Sequence, residues 1–458
     1  MADPIPIPSH ARGSTQEATL FSSVPLNGLA SSLDSLSTSP THRRTKSLRP
    51  FDTSEIKVLL VENVSSTAVN LFKAAGYQVE HHPKALPPDV LKAKLASGVH
   101  ALGIRSKTHL TADVLRSASK LLVVGCFCIG TNQVDLDYAA NHGIAVFNSP
   151  FSNTRSVAEM VIGEMIALAR QVGDRNKEMH GGVWNKVAQQ CWELRGKRIG
   201  IIGYGHIGSQ LSVLAEAMGM QVLSYDIVHL VQLGVARSCT TLEELLKSAD
   251  FVTLHVPETP ETKNMIGARE IALMKKGSYL INASRGTVVD LKALAAALKE
   301  GHLAGAAVDV FPVEPAANGT GFETELIGCP NTMLTPHIGG STEEAQSAIG
   351  VEVATALTKY LNFGSTAGSV NFPEVDLRPP VEGTMAVRVV NVHRNVPGVL
   401  KQINKILSEY QIDKQTCDSR GEVAYLVADI TLDREEELGR ISKSITEISE
   451  NLLTRLLY

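Results

Sequence analysis

No run of apolar residues in the 458-residue chain is long enough to cross a bilayer, so a helical membrane protein is not expected. Charge of one sign is not in excess either. The 43 Lys and Arg residues stand against 47 Asp and Glu, a net of −4, and neither nucleic acid nor an anionic membrane is an expected partner. Cysteine is sparse: Cys126, Cys128, Cys191, Cys239, Cys329 and Cys417. Only the first two are close, and no Cys/His cluster completes a metal site. No metal is expected, and the thiols read as reduced, in keeping with a cytoplasmic location. The first fifty residues lack the apolar core of a secretory signal. They are rich in Ser, Thr and Pro, and residues 1–52 read as a disordered tail. Its basic cluster "THRRTKSLRP" around Ser47 suits regulation by phosphorylation.

What is present describes a globular chain of two or three domains, with 44% apolar and 20% charged residues. From Ile56 onward, short apolar runs alternate with helical stretches, as in "IKVLLVENV", "VHALGIR", "KLLVVGCF" and "IAVFNSP". That alternation means a parallel α/β sheet. "NTRSVAEMVIGEMIALARQVGDRNKEMHGG" (Asn153–Gly182) is expected to be one long connecting helix into a second alternating unit, which opens at "GKRIGIIGYGHIG". "STEEAQSAIGVEVATALTKYLNFG" is a further long helix that could return the chain to the first unit. The Pro-rich "VNFPEVDLRPPVEG" reads as a linker, and the last 75 or so residues read as a small α+β module. The expected fold class is α/β: two Rossmann-like, doubly wound parallel-sheet domains followed by the α+β module.

Gly203, Gly205 and Gly208 spell Gly-x-Gly-x-x-Gly between the strand "RIGII" and a helix. The first glycine permits a tight turn, the second lets a pyrophosphate approach, and the third lets helix and strand pack. Asp226 ends the next strand, where an acid binds ribose hydroxyls and repels a 2′-phosphate, so NAD is the expected cofactor. Three more residues follow strand-like segments: Arg285 after "YLINAS", Glu314 after "AAVDVFPV" and His337 after "NTMLTP". Ligands of open α/β sheets sit at the carboxyl ends of strands, so the three are expected to converge. An imidazole suits removal of a hydroxyl proton near neutral pH. Glu314 could accept the other N–H of His337, and Arg285 could grip a substrate carboxylate. Singly, each residue also fits an ordinary structural part; their joint placement behind the glycine turn carries the reading.

The stretches "GIRSKTHLT", "VVGCFCIGTNQVDLDYAANHGIAVFNSPFSNTRSVAE", "IGIIGYGHIGSQL", "INASRGTVVD", "AGAAVDVFPVEP" and "LTPHIGGSTEEAQ" resemble the D-isomer-specific 2-hydroxyacid dehydrogenases, in the branch that acts on phosphoglycerate. The resemblance implies a substrate-binding domain split into 53–152 and 338–372 around an NAD domain at 153–337, a linker at 373–384 and an ACT-like regulatory domain at 385–458. It implies oxidation of 3-phospho-D-glycerate to 3-phosphooxypyruvate, the entry to serine synthesis, with 2-oxoglutarate as a further substrate for reduction. It supports Arg285, Glu314 and His337 as the catalytic set. Around the cofactor it adds His206, Ile207, Ala283, Ser284, Asp309, Ile338, Gly339 and Gly340. For substrate it points to Arg105, Ser106 and Asn153 beside Arg285, with Lys84 and Lys186 assisting.

The same resemblance implies a homo-oligomer, a tetramer by preference, with contacts near "GVWNK" (Gly182–Lys186). It implies L-serine as effector at the ACT-like module, with His393, Asn395 and Asp413 at the effector site. Two positions depart from the pattern: Gln411 stands where a glycine is usual, and Asp413 where an asparagine is common. Two other readings stay open at this point. One is a dehydrogenase for an unphosphorylated acid such as glycerate or lactate. The other is an NAD-sensing binding protein on the same scaffold.

Overall fold

The computed structural model describes residues 53–315, 318–379, 386–432, 434 and 436–457. The tail 1–52, Ser47 with it, and residues 380–384 of the expected linker lie outside them.

Short apolar runs buried on both faces form the inner strands of two parallel sheets, with more exposed strands at edge positions. The first contains β1 (Lys57–Leu60), β2 (Gln78–His81), β3 (Ala101–Ile104), β4 (Val123–Cys126) and β5 (Ala145–Phe147), in the order β2-β1-β3-β4-β5. The second contains β6 (Arg198–Ile202), β7 (Gln221–Tyr225), β8 (Arg237–Ser238), β9 (Phe251–Leu254), β10 (Tyr279–Asn282), β11 (Gly305–Val308) and β12 (Thr332–Leu334). Its order is β12-β11-β10-β9-β6-β7-β8. In each sheet the first strand lies inside the array, so the strand order reverses beside it, between β1 and β3 and between β6 and β9. Such switch points are where open α/β sheets hold ligands.

A third, antiparallel sheet has the order β14-β15-β13-β16, from β13 (Ala386–Arg394), β14 (Gln411–Arg420), β15 (Val423–Thr431) and β16 (Asn451–Leu457). Helices Val399–Leu407 and Glu437–Thr446 cover one face through Ile403, Leu407, Ile441 and Ile445. The other face places Val390, Val392, Tyr425 and Val427 in the same core as Phe147, Tyr360 and Phe372. The small module is therefore packed directly on the first unit. The Pro-rich segment before it is not a free tether where described: Phe372 and Val375 are fully buried, and Thr366 Oγ1 donates to Pro373 O at 2.7 Å.

The stretch expected to form one helix at 153–182 is two helices, Thr154–Ala169 and Val172–His180, broken at Gln171 with φ 54°. The first buries Val161, Met165, Leu168 and Ala169, whereas the second buries nothing. Where the apolar face ends, other segments take the helix carbonyls: Trp192 N–H donates to Ala169 O at 2.8 Å, and Asn331 Nδ2 to Leu168 O at 3.1 Å. The other long helix, Glu343–Phe363, starts on a Thr342 cap and stops at Gly364 with φ 67°. At 21 residues it spans roughly 30 Å. It packs against β4, where a Cβ on Gly125 would lie 2.6 Å from Val353. It runs from just beyond His337 to the third sheet.

Candidate active site

The glycine turn leaves β6 as a tight cradle. Gly203 has φ +89°, and a Cβ there would lie 2.4 Å from His255 O; one on Gly208 would lie 2.2 Å from Gly203 O. A Cβ on Gly205 would meet nothing within 4 Å. The outer two glycines are thus demanded by the protein itself, while the middle one faces open space above the start of helix His206–Ala217. That is the shape a pyrophosphate needs at a helix N-terminus. Asp226 follows β7, where its Oδ2 accepts from Tyr204 N–H at 2.8 Å and its Oδ1 from Val228 N–H at 3.0 Å. His206 packs against Phe151, ring centroids 3.7 Å apart and planes tilted by 36°. Ile207 begins the same helix, partly packed against the core.

At the other side of the switch point, β10 ends in a hydrogen-bonded hook. Asn282 Oδ1 accepts from Ser284 N–H and Oγ at 3.0 and 2.8 Å, and Asn282 Nδ2 donates to Arg285 O at 3.0 Å. Ala283 lies inside this hook. Behind it, a Cβ on Gly286 would collide with Phe311 backbone at 1.9 Å. The glycine lets the strand end sit against the next one, so Arg285 projects from a rigid base. The guanidinium donates from Nη1 to Ser284 O at 2.7 Å, and among the described residues no carboxylate forms an ion pair with it.

His337 and Glu314 meet: His337 Nδ1 lies 2.8 Å from Glu314 Oε2. Glu314 Oε1 accepts from Phe311 N–H at 3.1 Å, which fixes the carboxylate. The hydrogen bond to Glu314 pushes the His337 imidazole above its ordinary pKa, against the opposing pull of burial. Burial alone would raise Glu314, but the His337 bond and the Phe311 N–H hold it below the usual carboxylate value. His337 has φ 54°, and its N–H donates to Asp309 O at 2.8 Å. Asp309 also ties down the next turn, accepting from Ile338 N–H and Gly339 N–H at 2.8 Å each and from Thr335 Oγ1 at 2.6 Å. Gly340 closes on Asn153, whose Nδ2 would lie 2.4 Å from a Cβ there. Asn153 Oδ1 is buried without a hydrogen-bond partner, as a ligand contact would leave it.

Arg105 and Ser106 follow β3 directly, at the carboxyl end of the first sheet's switch point. Lys84 and Lys186 are exposed, and Val183 and Trp184 are 51% and 80% exposed. In the third sheet, His393 is buried with its Nδ1 2.8 Å from Asn391 Oδ1, and burial lowers its pKa. Asn395 Nδ2 donates to Gly421 O at 3.2 Å. Asp413 sits at a register shift beside Thr431, whose hydroxyl it accepts at 2.9 Å. His393 pairs with Ala424 near the other end of β15, so Asp413 lies roughly 20 Å away along the strands. A single chain does not bring the three together.

Three groups escaped the sequence reading. His255, after β9, keeps its imidazole neutral because burial pushes its pKa down to about 4. Glu164, on helix Thr154–Ala169, is buried with both carboxylate oxygens unpartnered, and burial pushes it up to about 8. Glu62, after β1, spends its carboxylate on backbone N–H groups. The six cysteines are free, Cys126 fully buried with its thiol pushed up by burial. Among the described residues no His/Cys/Asp/Glu group is arranged to hold a metal, and no helix is long and apolar enough to cross a membrane.

Residues 162–339 match the family model "D-isomer specific 2-hydroxyacid dehydrogenase, NAD binding domain". D-3-phosphoglycerate dehydrogenase 2 of Saccharomyces cerevisiae is 59% identical over 425 residues, covering 91% of this chain and 90% of that protein. The chain belongs to the D-isomer-specific 2-hydroxyacid dehydrogenases. Within that family, D-3-phosphoglycerate dehydrogenase of Escherichia coli is 53% identical over 407 residues, covering 88% of this chain and 98% of that protein. A D-lactate dehydrogenase of Aquifex aeolicus, solved with NAD and lactic acid, aligns at a TM-score of 0.59 and 27% identity, over 69% of this chain and all of that one. This family member is thus an NAD-dependent oxidoreductase built on two Rossmann-like sheets, with a C-terminal antiparallel module beyond them.

Proposed function

We propose that the chain oxidises 3-phospho-D-glycerate to 3-phosphooxypyruvate with NAD, the entry to serine biosynthesis. The observation that carries this is identity of 53–59% along about nine-tenths of the chain to proteins named D-3-phosphoglycerate dehydrogenase. The unpaired guanidinium of Arg285 and the Glu314–His337 pair agree with that reading.

NAD, when bound, supplies the acceptor for the hydride leaving the substrate's C2. The chain does the rest. Gly203, Gly205, His206, Ile207 and Gly208 hold the pyrophosphate, and Asp226 holds the ribose hydroxyls. Ala283, Ser284, Asp309, Ile338, Gly339 and Gly340 shape the nicotinamide end. Arg285 pairs with the substrate carboxylate in a fork. His337 takes the C2 hydroxyl proton on Nε2, and Glu314 holds its Nδ1–H, fixing the tautomer and stabilising the imidazolium that forms. Arg105, Ser106 and Asn153 take the phosphate and the far end of the substrate, with Lys84 and Lys186 assisting. The same machinery run backward suits reduction of 2-oxoglutarate.

The domains proposed are 53–152 with 338–372 for substrate, 153–337 for NAD, 373–384 as linker and 385–458 as the ACT-like module. Exposed Val183 and Trp184 favour assembly into a homo-oligomer, a tetramer by preference, through the NAD domain. L-serine is the proposed effector, held by His393 and Asn395 of one copy and Asp413 of another, since one copy keeps them apart. The location proposed is the cytoplasm, where six free thiols stay reduced.

A steady-state assay with 3-phosphoglycerate and NAD, with and without L-serine, tests both parts. Turnover of lactate or glycerate in preference to phosphoglycerate overturns the substrate reading. Unaltered kinetics together with no calorimetric serine binding overturns the effector reading.

A further inference from the structure

Behind Arg105 and Ser106 lies a buried carboxylate that, among the described residues, forms no salt bridge. Glu62 ends the segment after β1 and is 7% exposed. Its Oε1 accepts from the backbone N–H of Arg105 at 3.2 Å and of Thr108 at 2.7 Å. Its Oε2 accepts from Lys107 N–H at 2.8 Å. Three amides of one turn thus converge on one side chain. Such a nest of N–H groups is an anion-binding concavity, and here the protein fills it with its own anion. From the other side, Gln133, 4% exposed, donates through Nε2 to Arg105 O at 2.8 Å. Both backbone polar groups of Arg105 are therefore fixed by buried side chains.

The chain also distorts itself to put Glu62 there. Glu62 has φ 69° and the following Asn63 φ 56°, two non-glycine residues in the left-handed region, where L side chains rarely sit. Val61 N–H donates to Gly103 O at 2.9 Å, so β1 and β3 are still paired up to this point. Beyond it the backbone turns so that the Glu62 side chain crosses to the turn after β3. This is the first sheet's switch point, between β1 and β3 at their carboxyl ends. Among the described residues Arg105 forms no ion pair, and no salt bridge uses Glu62. The carboxylate shapes the turn without neutralising the guanidinium.

We infer that Glu62 is a positioning residue for the substrate phosphate: its carboxylate locks the Arg105–Thr108 turn so that the Arg105 and Ser106 side chains are preset toward the anion. Because Glu62 already occupies the N–H groups of Arg105, Lys107 and Thr108, those three amides are not available to the phosphate, which meets the Arg105 and Ser106 side chains. This rests on the reading of Arg105 as a phosphate ligand, and the test separates the two.

Glu62→Ala, Glu62→Gln, Arg105→Ala and the double variant Glu62→Ala/Arg105→Ala are compared by steady-state kinetics with 3-phosphoglycerate and with unphosphorylated D-glycerate. Glu62→Ala is expected to raise KM for 3-phosphoglycerate about tenfold or more, with kcat and KM for NAD changed much less. The D-glycerate kcat/KM stays near wild type. Glu62→Gln keeps the Oε1 acceptor but turns an amide N–H toward Lys107, so its KM falls between wild type and Glu62→Ala. The double variant should be no worse than Arg105→Ala, because one residue acts through the other. If Arg105→Ala leaves KM for 3-phosphoglycerate unchanged, the phosphate reading itself fails. If Arg105→Ala raises it while Glu62→Gln behaves as wild type, or the single effects multiply in the double variant, the inference about Glu62 is overturned. Should Glu62→Ala fail to fold, Glu62→Gln and its double with Arg105→Ala carry the same comparison.

Discussion

His337 and Glu314 lie 23 residues apart in the chain and meet through Nδ1 and Oε2 at 2.8 Å, each moving the other's protonation in the opposite direction. The Glu314 pKa is lowered, so its contribution to folding is present above about pH 4.5 and is lost as pH falls through the lowered value. The imidazole's pKa is raised, so its contribution is fully present below about pH 6.5 and is lost as pH rises through the raised value. Catalysis in the oxidising direction runs the other way, because it needs the free base. The rate should therefore climb as pH passes that raised value. Glu314→Gln removes the largest cause of the rise. The acid limb of the kcat/KM profile should move to lower pH, and kcat should fall on the order of 10²-fold as the tautomer is no longer held. A profile that keeps its acid limb would show that Glu314 does not set the titration.

The three glycines of the turn predict three different phenotypes. At Gly203, φ is +89° and a Cβ would press on His255 O, while at Gly208 it would press on Gly203 O. Gly203→Ala and Gly208→Ala should each destabilise the NAD unit by about 2 kcal/mol or more. At Gly205 the added methyl meets open space in the protein itself. Gly205→Ala should therefore melt like wild type yet bind NAD at least about tenfold more weakly, the methyl standing where the pyrophosphate approaches. Thermal melts with calorimetric NAD titration separate the cases; tight NAD binding by Gly205→Ala would remove the pyrophosphate from that side of the turn.

Much of this architecture is legible in the residues. Runs such as "KVLL", "ALGI" and "RIGII", alternating with helical stretches, read as strands buried on both faces, and they are β1, β3 and β6. Arg285, Glu314 and His337 are legible because each follows such a run, and strand ends converge in a parallel sheet. What stays hidden depends on partners far away in the chain. Glu62 looks like any acid after a strand, since its ligands lie 43 to 46 residues on. The break at Gln171 is invisible to helix periodicity, because it reflects Trp192 and Asn331 capturing the carbonyls of Ala169 and Leu168. The distance of Asp413 from His393 and Asn395 within one copy is likewise set by strand register, which no local run of residues displays.

Glu164 carries a stability prediction with a definite sign. Its carboxyl is raised from 4.5 to about 8 by burial, with Asp309 adding like-charge repulsion. Between those values the unfolded chain has released the proton and the folded one has not, so stability falls as pH rises from about 4.5 to 8. Glu164→Gln, neutral throughout, should be similar to wild type near pH 5. At pH 9 it should be more stable, by on the order of 4 kcal/mol. Denaturant unfolding at the two pH values checks it. Equal differences at both would mean that Glu164 keeps the pKa of the unfolded chain in the fold.

The third sheet meets the first unit through two buried cations, Arg388 and Arg455, the latter donating to Tyr360 O at 3.2 Å and lying over the Tyr360 ring. Arg388 makes two bonds to Asp429, at 2.7 and 2.9 Å, and donates to Phe363 O, Leu377 O and Arg378 O at 3.0, 2.9 and 2.7 Å. It thereby satisfies the carbonyls at the end of helix Glu343–Phe363 and in the segment leading into the module. Arg388→Met leaves Asp429 charged and alone, at a cost of about 3–5 kcal/mol. The module should loosen from the first unit, exposing the described chain from Phe372 to Pro379 to protease, while turnover at His337 survives. Arg388→Met/Asp429→Leu removes both charges and should recover much of that stability, though not the three carbonyl bonds. If Arg388→Met resists protease as wild type does, the docking rests on the apolar face of Val390, Tyr425 and Phe372 rather than on the ion pair.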